Sequence, residues 1–128
     1  MSKQRLDFDA VRELALELPD VVDATGARGP AFKAHGKLLA CAAIHSSAEE
    51  GSLAVRFDPS LRASLLAAEP DIYYVTPHYE PYPMVLVRLS RVHPDALTDL
   101  VTGAWRLASA ADQRRRSRRT PAARRPRR

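Results

Sequence analysis

Residues 52–89 read SLAVRFDPSLRASLLAAEPDIYYVTPHYEPYPMVLVRL, and the fold turns on this stretch. SLAVRF alternates, with Leu53, Val55 and Phe57 on one face and Ser52, Ala54 and Arg56 on the other, which is the two-residue period of a strand. Asp58-Pro59 then opens a helix, Asp58 as cap and Pro59 at the first helical position. Leu61, Leu65 and Leu66 give that helix its apolar face, and Pro70 closes it. Ile72–Val75 reads as a second strand. The proline-rich loop 76–83 comes next, and a third strand, Met84–Leu89, places Val85, Val87 and Leu89 opposite Leu86 and Arg88. A helix between strands that are otherwise joined by short turns is the mark of an α+β domain, not of a repeating βαβ unit.

Upstream, GPAFKAHGKLLACAAI at 29–44 contains two short apolar runs separated by His35-Gly36, and reads as a hairpin of Ala31–Ala34 with Lys37–Ile44. Residues 7–18 form an amphipathic helix, since Phe8, Val11, Leu14, Ala15 and Leu18 recur every three or four positions. Asp7 is its N-cap, Leu6 and Val11 its hydrophobic staple, and Pro19 its end. Downstream, Pro94 opens a helix whose stripe is Leu97, Leu100, Val101, Ala104, Trp105 and Ala108; Asp95 lies in its first turn and Arg106 in its last. The predicted fold is an α+β two-layer sandwich in the order α-β-β-β-α-β-β-α. It has three helices on one face of a mainly antiparallel five-stranded sheet, and the other face is polar. Trp105 is expected to be largely buried.

The apolar period lapses near residue 110. The C-terminal stretch DQRRRSRRTPAARRPRR carries nine arginines and one acid, while residues 1–111 hold 11 basic and 14 acidic groups and carry a net charge of −3. The division expected is a domain at 1–110 and a disordered Arg-rich tail at 111–128, because such a segment buries no apolar surface and repels itself. The +5 of the whole chain thus belongs to the tail, and overall charge says nothing of the domain's own affinity for nucleic acid. No run of 18 apolar residues exists, and MSKQRLDFDA has no hydrophobic leader core, so a cytoplasmic protein with no membrane partner is expected. Cys41, the single cysteine, lies within LLACAAI and reads as a small buried hydrophobe.

Chemistry is sparsely signalled. His35, His45, His78 and His93 stand at no metal-ligand spacing, there is no phosphate-binding glycine motif, and Ser46, Ser47 and Ser52 lack a nucleophile elbow. The expectation is a non-enzymatic protein with no cofactor and no metal. Asp9, Glu13 and Glu17 share a helix face and are the one arrangement that suggests metal handling, against the plainer reading of a solvated face interrupted by Arg12. Binding has better candidates. Lys33, His35 and Lys37 sit in the first hairpin; His78, Tyr79 and Tyr82 sit in a loop stiffened by three prolines, and Arg88 lies on the next strand. Rings with polar tips stack on bases or grip a peptide, and equally pack across a sheet edge.

GPAFKAHGKLLA, SLAVRFDP and YYVTPHYEPYPMVLVRL, followed by a helix carrying Trp105, together resemble the MmcQ/YjbR family over roughly residues 7–109. The resemblance implies a sandwich like the CyaY/frataxin fold, a double-wing arrangement and DNA binding, with Lys33, Lys37, His78, Tyr79, Tyr82 and Arg88 in its two hairpins. The arginine tail is no part of that pattern. The expected partner is therefore nucleic acid, held non-specifically and salt-sensitively, with Arg114, Arg115, Arg116, Arg118 and Arg119 making most phosphate contacts. The alternatives are a protein- or small-ligand-binding module built on the Tyr/Pro-rich loop and, further off, frataxin-like metal handling.

Overall fold

The structure is a computed structural model that describes residues 6–124, with side chains through Arg114. Its first helix, α1 (Phe8–Leu16), is capped as expected: Asp7 accepts from the Ala10 amide at 3.0 Å. The strands are β1 (Val21–Asp23), β2 (Ala31–Ala34), β3 (Lys37–Ala42) and β4 (Ser52–Arg56). Helix α2 (Pro59–Ala68) comes next, then β5 (Tyr73–Tyr74), β6 (Met84–Arg88) and α3 (Pro94–Arg124). Asp58 caps α2, accepting from the amide of Ser60 at 2.9 Å and from its hydroxyl at 2.8 Å.

All strand pairs are antiparallel, in the order β1-β2-β3-β4-β6-β5. The sheet thus has six strands where five are expected. The additional one, β1, is three residues long, too short to show a period, and is fixed by pairing Val21, Val22 and Asp23 with Ala34, Lys33 and Phe32. The β2–β3 hairpin turns at His35 (φ 55°) and Gly36 (φ 76°). Positive φ at both central positions is the requirement of a type I′ turn, whose twist suits the two strands.

Helices α1 and α3 cover one sheet face. Val11, Ala15, Phe32, Leu39, Leu53, Val55, Val85, Val87, Leu97 and Val101 form the main core beneath them. Trp105 packs against this core with part of its ring left accessible; its indole N–H donates to the Pro19 carbonyl at 2.8 Å, tying α3 to the end of α1.

The second sheet face departs from expectation at its centre. Ala54, Met84 and Leu86 are buried there with Ala43, beneath Tyr74 and Tyr79. Two loops, 43–51 and 75–83, cross over them and join: the His45 amide donates to Tyr79 Oη (3.2 Å), and Ser47 Oγ bonds Thr76 Oγ1 (2.8 Å). Strands β4 and β6 are accordingly apolar on both faces, and the face expected to be polar is roofed by loops.

Helix α3 also differs. It continues beyond residue 110, where the tail is expected to begin, through Arg124, so Arg106 lies mid-helix instead of in the last turn. Alanine and arginine are both strong helix formers, and a helix already docked on the core extends at little nucleation cost.

Candidate nucleic-acid interface

The first hairpin presents its two lysines in opposite directions. Residues paired directly across a ladder share a face. Lys33 pairs with Leu38, which packs on the second face, whereas Lys37 pairs with Ala34, a member of the main core under the helices. The two-residue turn at His35-Gly36 sets this register, pairing Ala34 with Lys37 and Lys33 with Leu38. Lys33 and Lys37 therefore do not form one cluster.

The hairpin turn meets the point where α3 leaves the domain. Asp112 is the last buried residue of α3 among the described side chains, and its Oδ2 lies 3.5 Å from His35 Nδ1. Helix α3 packs along β2, β3 and β4, so the face bearing Lys37 is also its own. Arg114, exposed, comes two residues after Asp112. His35 thus lies at the root of the arginine run, with Lys37 on the sheet face that α3 covers and Arg114 two residues beyond Asp112. The side chains of Arg115, Arg116, Arg118 and Arg119 lie outside those described, though their backbone continues the helix.

The second candidate group is employed internally for the most part. Arg88 makes a two-pronged ion pair with Glu49, Nε to Oε1 and Nη2 to Oε2 at 2.8 Å each. Its Nη1 donates to the carbonyls of Pro70 and Asp71 at 3.1 Å, and the guanidinium stands 4.3 Å from the Tyr74 ring centre. These hydrogen bonds hold the Glu49 carboxyl below its ordinary value and raise Arg88 above its own. Tyr74 Oη in turn bonds Ser52 Oγ (2.6 Å) and accepts from the Glu49 amide (2.8 Å). Tyr79 is the roof of the second face. His78 stacks flat on His45, ring centres 3.6 Å apart, and Ser47 donates its amide to His45 Nδ1 at 3.0 Å. Only His78 and Tyr82 of this group are exposed, Tyr82 at 53%.

Asp9 lies 3.3 Å from Arg12, which also donates to Asp23 at 2.9 Å and to Thr25 Oγ1 at 3.3 Å. Hydrogen bonds from the Thr25 hydroxyl and amide, then from Arg12, hold the Asp23 carboxyl down at about 2. Among the described residues no three His, Cys, Asp or Glu side chains converge as metal ligands would. Cys41 is partly buried beside the second-face cluster, and burial pushes its thiol up. No helix among the described residues is long and apolar enough to cross a membrane.

Sequence reasoning passed over Arg62, which holds the proline-rich loop from below. Its guanidinium donates to the carbonyls of Tyr82 and Met84 at 2.9 Å and of Glu80 at 3.0 Å. A lone arginine on a helix otherwise composed of Leu, Ala and Ser was the available signal.

Over 48 residues the chain is 44% identical to uncharacterised proteins of Mycobacterium bovis and Mycobacterium tuberculosis, a stretch covering 38% of this chain and 37% of theirs. The match thus spans little more than a third of the length of these curated relatives. The crystal structure of a Deinococcus radiodurans protein with a DUF419 domain superposes with a TM-score of 0.67 at 21% identity, over 85% of this chain and 83% of that one, and carries the same fold. The model of the YjbR family matches residues 16–107, well over half of the sequence, and on this ground the chain belongs to the YjbR family.

Proposed function

We propose that this protein binds nucleic acid without transforming it, holding phosphates along the C-terminal part of α3 and at the hairpin turn beside it. The observation that carries this reading is the meeting of His35 with Asp112 at 3.5 Å, which sets the turn against the helix where its arginines begin. From Arg114 to Arg124 the helix rises about 15 Å, the length of roughly four base-pair steps. Net charge is −3 over residues 1–111 and +8 over 112–128, so attraction to a polyanion comes from one end of the molecule. Phosphate contacts of this kind position a protein without reading sequence.

The opposed lysines supply the test. Lys37 shares the α3 face and adds to the same basic surface; Lys33 does not. Affinity for a duplex DNA is measured on the full chain against salt concentration. Replacing Arg114, Arg115, Arg116, Arg118 and Arg119 by Gln lowers the slope of log affinity against log salt by up to about 4.5, at roughly 0.9 for each phosphate no longer neutralised. Lys37→Ala weakens binding measurably and Lys33→Ala leaves it unchanged. Equal effects of the two lysines, or a slope indifferent to the five arginines, would overturn the reading.

A further inference from the structure

Helices α2 and α3 do not close on each other. No residue of α2 is fully buried, and an open groove of about 530 Å³ runs between the two helices over Tyr73. Its walls are Phe57, Leu61 and Leu65 on one side and Leu100, Gly103 and Leu107 on the other. Leu61 is 55% exposed and Leu107 36%, so the lips are apolar as well as the interior. A side-chain carbon added at Gly103 would meet nothing within 4 Å, which leaves the middle of the groove clear. Size and lining are those of small-molecule sites, mostly apolar with a few placed polar groups.

The floor holds the second observation. Tyr73 is only 5% exposed, yet its hydroxyl has no hydrogen-bond partner among the described residues. The residue is buried but lines the groove, so its unbonded hydroxyl is open to whatever fills that space. Burial raises the phenol, and the carboxylates of Glu69 and Asp99 raise it further, so it stays neutral and can accept as well as donate. Asp99 lines the groove with no partner of its own among the described residues, and Asp58 lines it while capping α2. Among the described residues the one cation lining it, Arg106, stands seven residues along α3 from Asp99, about 10 Å away.

We propose that this groove is a binding site for a small amphipathic amine, its ammonium group at Tyr73 and Asp99 and its apolar body lying over Gly103 between Leu61 and Leu107. The carboxylates near Tyr73 select a cationic head over an anionic one. The Tyr73 hydroxyl accepts one ammonium N–H, and the Asp99 carboxylate accepts another. A body of about eight carbons fits the span between Asp99 and Leu107 without bringing the head against Arg106. This site is separate from the arginine run, and either proposal stands if the other fails.

The test uses the full chain and three probes of one length: octylamine, octan-1-ol and octanoate, titrated at neutral pH while amide resonances are followed by NMR. Octylamine is expected to bind roughly tenfold more tightly than octan-1-ol, the gain of one charge-assisted hydrogen bond, and octanoate most weakly. Shifts should centre on Leu61, Leu100, Gly103 and Leu107. Asp99→Asn removes the preference for the amine while keeping affinity for the alcohol, Tyr73→Phe weakens both, and Gly103→Leu blocks all three probes with circular dichroism unchanged. Tightest binding by octanoate, an amine preference that survives Asp99→Asn, or shifts centred elsewhere would overturn the proposal.

Discussion

Trp105 offers a measure of how the last helix is attached. The ring is half-buried against the main core, and its N–H donates to the Pro19 carbonyl at 2.8 Å, just past the end of α1. Trp105→Phe keeps an aromatic ring in place and removes the donor. A hydrogen bond of this sort contributes about 1 kcal/mol net, and the bereft carbonyl can still reach water. The smaller ring gives up part of the buried area, adding up to about 1 kcal/mol at the usual 25 cal/mol per Å². The expected loss is therefore about 1–2 kcal/mol, or roughly 4–8 °C in Tm for a domain of this size. Trp105→Ala is expected to cost about 2–3.5 kcal/mol, below the 3–5 typical of a fully buried large aromatic. Urea unfolding followed by circular dichroism reads both, and it must be circular dichroism because Trp105 is the only tryptophan. If Trp105→Phe melts with the parent, the tie between α3 and the end of α1 carries no weight. If Trp105→Ala costs about 5 kcal/mol, the ring behaves as a fully buried one and not as a half-buried one.

Replacing Arg88 by Gln should lower Tm, because Glu49, the Pro70 and Asp71 carbonyls and the Tyr74 ring all lose their common partner, yet leave the salt slope for DNA unchanged; a fallen slope would return Arg88 to the nucleic-acid surface. Asp23 makes acid stability diagnostic. Its folded pKa, about 2, lies below the ordinary 3.8, so its contribution is complete above about pH 4 and is lost as pH falls towards 2. Asp23→Asn should flatten thermal stability across that window, and a mutant curve parallel to the parent's would refute the assignment.

Much of the fold is written locally. Asp7 and Asp58 cap α1 and α2 through neighbours two or three residues away, and the His35-Gly36 turn needs only its own two residues, so each is visible along the chain itself. Strand β1 is not, since three residues carry no period and its place comes from pairing with β2. The roof over the second sheet face is equally hidden. Tyr74 and Tyr79 find their partners 25 and 34 residues away, at Glu49 and His45, in loops whose own sequence shows only polarity and turns. The same distance explains Arg88, which reads as an exposed cation on a strand until Glu49 is brought against it. Of the hairpin residues, spacing alone suggests that Lys33 and Lys37 act together. The two-residue turn separates them, because it pairs Ala34 with Lys37 and so leaves Lys33 facing the other way. The groove is half-legible: Leu61 and Leu65 mark an apolar face in the sequence, but nothing there says that α3 would leave Leu61 uncovered.

The two borders of the sheet restrict what kind of company the molecule can keep. β1 offers three residues and β5 two, so an incoming strand would find only a handful of unmet amides and carbonyls before the border ran out. Recruitment by strand addition, the common route by which open sheets capture extended peptides or polymerise, has little to hold. Self-association into a continuous ribbon is discouraged for the same reason. Engagement through the helices and loops is the expected route, and mutations that lengthen β1 or β5 are the ones expected to promote aggregation.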